Sequence, residues 1–165
     1  MSFDVVRTKV EVALRRLRKQ DLFLIQANTN ERTISHKLAE YLQQEFPDRN
    51  VDCEYNRHGT DIKKIDAPKD NVSWNDTEAK TIFPDIIVHE RDNDKRNLLV
   101  IEVKKSSNVD GRHIDKAKLM ALTEGEYRYA FGLFLEISMN ETADILEWYT
   151  AGGVLRGQKI PIESY

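Results

Sequence analysis

Asp85, Glu102 and Lys104 are the residues whose types and spacing best suit a chemical task. They fall in Phe83-Pro-Asp-Ile-Ile-Val-His-Glu90, the polar run Arg91-Asp-Asn-Asp-Lys-Arg-Asn97, and Leu98-Leu-Val-Ile-Glu-Val-Lys104. Two runs rich in β-branched residues, joined by a charged, turn-forming link, predict a β-hairpin. Side-chain alternation then places Val100, Glu102 and Lys104 on one face and Leu99, Ile101 and Val103 on the other. The hairpin brings Asp85 beside Glu102 and Lys104. Two neighbouring carboxylates repel each other unless positive charge lies between them, and Mg²⁺, a hard cation that takes oxygen ligands, fits that need. Such an ion would bind a phosphate oxygen, stabilise transition-state charge and activate a water, as phosphodiester hydrolysis requires. A free lysine titrates at about 10.4, so Lys104 serves as a general base only if that value is strongly depressed. Orienting the water or offsetting phosphate charge needs no depression, and that is the role expected here.

Pro84, Asp85, Glu102 and Lys104, with apolar strands around them, resemble the motif of the PD-(D/E)XK nucleases. That superfamily includes type II restriction endonucleases and archaeal Holliday-junction resolvases. The resemblance implies that Asp85 and Glu102 ligate Mg²⁺, with Mn²⁺ as an alternative, that Val103 belongs with them at the metal, and that Lys104 assists the attacking water. The motif is short, and its strand–turn–strand context is what gives it weight. The competing reading is an exposed hairpin with ordinary surface charges.

At 165 residues, 40% hydrophobic and 32% charged, the chain suits a single domain spanning 1–165 with its own core. The N-terminal segment has no apolar signal region and no stretch approaches the ~18 apolar residues of a membrane helix, so a cytoplasmic protein without a membrane partner is expected. Cys53 is the only cysteine, which excludes an internal disulfide framework and a cysteine-rich zinc site. It is expected as a small buried hydrophobe on a strand. A net charge of −3 runs against the basic balance of most nucleic-acid binders. Basic clusters occur at Arg15, Arg16, Arg18 and Lys19, at Lys63 and Lys64, and at Lys104 and Lys105, each reading first as a solvated face.

The surrounding elements must position the hairpin residues. Phe3, Val6, Val10, Ala13, Leu14 and Leu17 make a helical stripe, with Arg7, Glu11, Arg15 and Arg18 turned outward. Asn28-Thr-Asn30 offers N-cap chemistry for a second helix, which runs to about Phe46 and stops at Pro47. Its stripe is Ile34, Leu38, Tyr41 and Leu42. Glu31 shares that face at the N-terminal end, while Glu40 lies almost opposite. Many relatives in the resembled superfamily carry a Glu on the helix preceding the core sheet, so Glu31 is implied as a further catalytic acid. The alternative is a helix-start Glu stabilised by the macrodipole. His36 lies off the stripe and reads as a surface residue. The segment from Val51 to Arg57 alternates like a half-buried strand and makes Glu54 a second candidate for the extra acid. From His58 to Thr81 the chain reads as a long surface connection that covers the site or contacts substrate, or is pinned to the body by Trp74.

Past Lys104, a polar turn precedes a helix from about His113 to Thr123, stopped by Gly125. Lys118 falls within its apolar stripe of Ile114, Ala117, Ala121 and Leu122, with Asp115 one turn earlier. A lysine on a core-facing stripe needs an anionic partner. The resemblance makes Lys118 a substrate phosphate contact, and Lys105 is placed with it; equally, Lys118 is a snorkelling lysine paired with Asp115. The segment from Tyr127 to Ile137 reads as a central strand. Asp144 to Tyr149, the Gly152-Gly153 turn and a short extended piece near Lys159 to Ile162 complete the chain.

The fold expected is α/β, a mixed β-sheet flanked by helices. The resemblance implies a restriction-endonuclease-like α-β-β-β-α-β core over about residues 29–137, with an extra N-terminal helix. It further implies a Mg²⁺-dependent nuclease hydrolysing phosphodiester bonds, with DNA as the expected nucleic acid, an endonucleolytic action, and a homodimer where both strands are cut. The alternatives are a catalytically inactive nucleic-acid-binding or scaffold module of the same fold, and a partner-binding domain whose hairpin charges are coincidental.

Overall fold

The structure, a computed structural model, describes residues 1–55, 57, 58, 61, 62, 64, 65, 80, 81, 83–91, 96–125, 127–139 and 142–164. Most of the expected 58–81 connection, including Lys63 and Trp74, lies outside the described residues.

The hairpin forms as its alternation predicts. Strands Ile86–His89 and Leu99–Lys105 pair antiparallel, with Ile86 opposite Ile101, Ile87 opposite Val100 and Val88 opposite Leu99. In chain order the elements are α1 (Phe3–Gln20), α2 (Leu22–Gln26), α3 (Glu31–Glu45), β1 (Asn50–Cys53), β2 (Arg57–His58), β3 (Asp61–Ile62), β4 (Lys64–Ile65), β5 (Lys80–Thr81), β6 (Ile86–His89), β7 (Leu99–Lys105), α4 (Arg112–Glu124), β8 (Phe131–Ile137), β9 (Ala143–Thr150) and β10 (Gly153–Pro161), with a 3-10 turn at Ile162–Ser164. Six strands make one mixed sheet in the order β1-β6-β7-β8-β9-β10. Among the described strands of this sheet only β7 and β8 pair in parallel, because α4 carries the chain across between them. The short pairs β2–β3 and β4–β5 stand apart from the sheet. The protein is thus α/β, a mixed sheet flanked by helices.

The two faces of the sheet differ in size and chemistry. On one, Ile86, Val88, Leu99, Ile101, Val103, Leu133, Leu135 and Trp148 are buried against Val10, Leu14 and Leu17 of α1 and Ile34, Leu38 and Leu42 of α3. On the other, a smaller cluster joins Ile87, Val100, Phe134 and Tyr149 to Leu119 and Leu122 of α4. The second face runs out of apolar residues toward the C-terminal end of β7, where Glu102 and Lys104 follow Val100.

Several sequence expectations are corrected. Arg18 does not face solvent: it is buried, its Nε 3.2 Å from Asp144 Oδ2 and its Nη2 donating to Asp144 Oδ1 and, at 3.0 Å, to the Ser138 carbonyl. Helical phase places it at the edge of the apolar stripe, and a paired anion from the far end of the chain makes its burial tolerable. Cys53 is exposed rather than buried, because β1 lies at the sheet edge. The strand expected to reach Arg57 ends at Cys53, where Glu54 takes a left-handed φ of 49°. Tyr127 to Ala130 precede β8 rather than belonging to it, with Arg128 at φ 44°. The C-terminal piece is a full hairpin of β9 and β10 around Ala151 and Gly152, whose φ values of 45° and 76° suit a two-residue turn. A Cβ on Gly152 would also meet the Glu124 side chain at 2.6 Å.

Candidate functional site

Continuing the β6–β7 register one residue outward from the Ile86–Ile101 pair puts Asp85 beside Glu102. Asp85 Oδ2 accepts a hydrogen bond from the Val103 amide at 2.7 Å, which ties the carboxylate to the neighbouring strand. Glu102 is 3% exposed. Its Oε2 accepts from Lys118 Nζ at 3.0 Å, and its Oε1 is buried with no hydrogen-bond partner among the described residues. Lys118 also lies 3.0 Å from Asp115 Oδ1, while Lys104 Nζ lies 2.9 Å from Asp115 Oδ2. Asp115 therefore bridges the two lysines, one from β7 and one from its own helix.

Glu31 enters from the other side of the sheet end. The Asn30 side chain caps α3 by accepting from the Thr33 amide at 2.8 Å, which fixes Glu31 in the first turn. Its Oε1 accepts from the Lys105 amide and from Asn108 Nδ2, both at 3.0 Å, and its Oε2 lies 3.9 Å from Lys104 Nζ. Glu31 thus touches the strand carrying Glu102 and the loop leading to α4. Glu40 is remote, held on the helix exterior by Lys37 and His36. Glu54 is nearer, its amide donating to the Asp85 carbonyl at 3.3 Å, but its carboxylate turns to Arg32 at 2.7 Å.

Burial and mutual repulsion dominate the electrostatics. Desolvation pushes the Asp85 carboxyl up to about 6, against the Val103 amide bond and Lys118, which pull it down. Desolvation and the neighbouring Asp85 charge push Glu102 up to about 8, Lys118 only partly offsetting them. For both lysines burial works to lower the pKa and is outweighed: by Asp115, then Glu31 and Asp85, at Lys104, and by Glu102 and Asp115 at Lys118. Both lie above the ordinary lysine value, so Lys104 carries its proton at neutral pH. The carboxylates Glu31, Asp85, Glu102 and Asp115 outnumber these two ammonium groups by two.

The remaining sequence candidates fall as follows. Lys105 lies at the same strand end, but its ammonium is taken by Asn28 Oδ1 at 2.9 Å and the Thr29 carbonyl at 3.1 Å. It anchors the α2–α3 loop through its side chain and Glu31 through its amide. His36 is a surface residue 3.2 Å from Glu40. Desolvation and the charges of Asp85, Asp52 and Glu54 push the Cys53 thiol up to about 11, so it stays neutral. Asp115 is the residue whose weight the sequence understated: its i,i+3 spacing to Lys118 was legible, but its bond to Lys104 depends on how α4 packs over β7.

Among the described residues no three His, Cys, Asp or Glu side chains converge to hold a metal ion. The donor set is smaller and harder: the Asp85 carboxylate and the unpartnered Glu102 Oε1, with Val103 between Glu102 and Lys104 offering a main-chain carbonyl. That set fits Mg²⁺, which takes one or two carboxylates and fills its octahedron with water and substrate phosphate. Comparison of the chain with protein-family models, with curated proteins and with solved structures finds no match in any of the three.

Proposed function

We propose that this protein is a Mg²⁺-dependent nuclease that hydrolyses phosphodiester bonds, with DNA as its substrate and Mn²⁺ as an alternative cation. The observation that carries the reading is the buried Glu102 Oε1 beside Asp85, which has no hydrogen-bond partner among the described residues. An orphaned buried acceptor costs roughly 1–3 kcal/mol, and more when charged, and a cation shared with Asp85 would relieve both that cost and the repulsion between the two carboxylates. Asp85, Glu102 and the Val103 carbonyl would hold the ion, which would supply Lewis acidity toward the scissile phosphate.

Lys104, fixed by Asp115 and near Glu31, would orient the attacking water and offset charge gathering on the phosphate. Lys118 would serve the same phosphate by exchanging part of its contact with Glu102 for one with substrate. Glu31 would hold the strand end and the Asn108 loop in register and polarise Lys104. The proposal includes a restriction-endonuclease-like core over about residues 29–137, where the observed run of α3, β1, β6, β7, α4 and β8 follows the expected order of major elements. It also includes a homodimer where both strands of a duplex are cut.

The test is cleavage of single-stranded, duplex and branched DNA and of RNA, with Mg²⁺, with Mn²⁺ and with chelator, by the wild type and by Asp85→Asn and Glu102→Gln. Cleavage that needs the cation and disappears in both variants, at unchanged circular dichroism, is the expected result. Metal binding without cleavage of any substrate would favour the inactive nucleic-acid-binding module. Absence of metal binding would reject the site.

A further inference from the structure

A cavity of about 240 Å³ lies along the sheet edge formed by β10, and its lining includes Arg15 of α1 and Lys159 of β10. Both cations are exposed, as is Lys19, one helical turn beyond Arg15 on the same side of α1. Among the described residues none of the three has an ion-pair or hydrogen-bond partner for its cationic group. Glu11 also lines the cavity, but its Oε1 is held by Arg7 at 2.8 Å and by Gln158 Nε2 at 3.1 Å. Lys19 falls in the last turn of α1, where the helix dipole favours a cation. Arg15, a turn earlier, and Lys159, on a strand, have no such reason to stand there. The strand register places this edge relative to the acidic site. Lys104, Glu136, Ile145 and Lys159 are successive partners across β7, β8, β9 and β10 and so form one row. Three strand spacings, about 14–15 Å, separate the ends of that row. The C-terminal end of α1 reaches the same end of the sheet, because Arg18 donates at 3.0 Å to the carbonyl of Ser138, which follows the Lys105–Ile137 pair.

We propose that Arg15, Lys19 and Lys159 form a docking surface for the phosphate backbone of the DNA arm that leads away from the scissile bond, about four nucleotides from Asp85 and Glu102 at about 3.4 Å of rise each. That the ligand is DNA rests on the nuclease reading; that the surface attracts a polyanion rests on its charges. The chain carries a net charge of −3, and Glu31, Asp85, Glu102 and Asp115 crowd the site, so the site by itself repels a nucleic acid. Attraction has to come from cations that are not already spent on carboxylates and that lie within reach of the same strand. Arg15, Lys19 and Lys159 meet both conditions. A cation held by a carboxylate must first give up that partner, whereas these three lose only water and release the counterions condensed on the phosphates they neutralise. The Arg15 guanidinium adds a planar fork for bidentate contact with phosphate. Between Lys104 and Lys159 the acid in the row is Glu136, and Arg112 neutralises it at 3.0 Å. The path from the site to the edge is therefore not interrupted by an unpaired negative charge in that row. Contacts of this kind position the duplex and carry no sequence preference.

The surface is tested in chelator by fluorescence anisotropy, measuring the affinity of the full chain for a DNA duplex several helical turns long over a salt series. Arg15→Gln and Lys159→Gln should each lower the slope of log affinity against log salt by about one, and the triple variant with Lys19→Gln by about two to three. Arg128→Gln removes the same charge from an exposed residue ahead of β8, at the opposite end of the sheet, and should leave the slope unchanged. All four side chains are exposed, and thermal melting checks that the variants fold. With Mg²⁺ present, the triple variant should raise KM for duplex cleavage about tenfold or more and leave kcat unchanged, as the loss of a contact made equally before and during the reaction requires. Equal slopes in wild type and triple variant, or an equal fall in Arg128→Gln, overturn the surface, and cleavage by the wild type then leaves the nuclease reading intact. A fall in kcat with an unchanged slope also overturns it, since the three residues would then act on the chemistry rather than on docking. The expected slopes in a protein that cleaves nothing leave the surface standing and sink the nuclease reading alone.

Discussion

Glu102 should make the metal-free protein lose stability as pH rises, opposite in sign to the usual salt-bridged carboxylate. Its ordinary value is 4.5, and in the fold it is pushed up to about 8. A carboxyl whose folded pKa is raised contributes stability that is fully present below its unfolded value and is lost as pH climbs through the folded one, because the folded state holds a proton that the unfolded chain has released. Between about pH 6 and about pH 8 the linkage integral for Glu102 is about 2 kcal/mol. Asp85, raised from 3.8 to about 6, has lost most of its share by the start of that window and adds only a few tenths. For a chain of this length each kcal/mol shifts Tm by about 2–4 °C, so wild type in chelator should melt about 5–10 °C lower at the upper pH. Glu102→Gln removes the titrating group, keeps the shape, and should flatten the profile to about 2 °C. Scanning calorimetry of both proteins at matched ionic strength measures it. Saturating Mg²⁺ should restore wild type most at the upper pH, where the ligand oxygens are already ionised, and should do little for Glu102→Gln. A wild-type Tm that is level or rises across the window would refute a buried, undercompensated carboxylate and, with it, the electrostatic case for a cation at this place.

Lys104→Ala should lower turnover at saturating metal by about a hundredfold or more, the scale of one proton-transfer or electrostatic contact, while calorimetry shows Mg²⁺ affinity unchanged or higher. Lys118→Met removes a cation that holds both the Asp85 and Glu102 values down, so the pH at which Mg²⁺ binding sets in should move upward when followed by calorimetric titration across a pH series. Asp144→Ala strands the buried Arg18 guanidinium, and urea unfolding should report a loss of about 3–5 kcal/mol; a loss below 1 kcal/mol would show that Arg18 escapes to solvent.

The hairpin and the faces it defines were legible because their signal is local. Period-two alternation in β7 and a short charged link leave one register that buries Leu99, Ile101 and Val103 together. The same holds for the Asn30 cap and for the end of α4 at Gly125. What the sequence hid depends on partners distant along the chain. Arg18 reads as one more outward cation until Asp144, 126 residues away, arrives beside it. β10 carries mostly exposed residues, so no hydrophobic period marks it, and it is a strand because β9 supplies its ladder. Cys53 obeyed the alternation rule but sits on an edge strand, where the rule does not imply burial.

At the site the division runs the same way. Asp85, Glu102 and Lys104 share a hairpin, so their proximity follows from local geometry, and Glu31 follows from helical phase plus a cap. Asp115 takes its meaning from the packing of α4 across β7: that packing sets it between Lys104 and Lys118, where it raises the pKa of Lys104 and, after Glu102, that of Lys118. With Asp115 absorbing part of the lysine charge, Lys118 reaches only one oxygen of Glu102 and Lys104 reaches none. Among the described residues the second oxygen is buried and has no partner. A fold selected for stability alone would fill that position with an apolar side chain, as at Val100 two residues earlier on the same face. Retaining an uncompensated acid there is the kind of local inconsistency that marks a functional position. A hard cation between Asp85 and Glu102 is the partner that the proposed function would supply there.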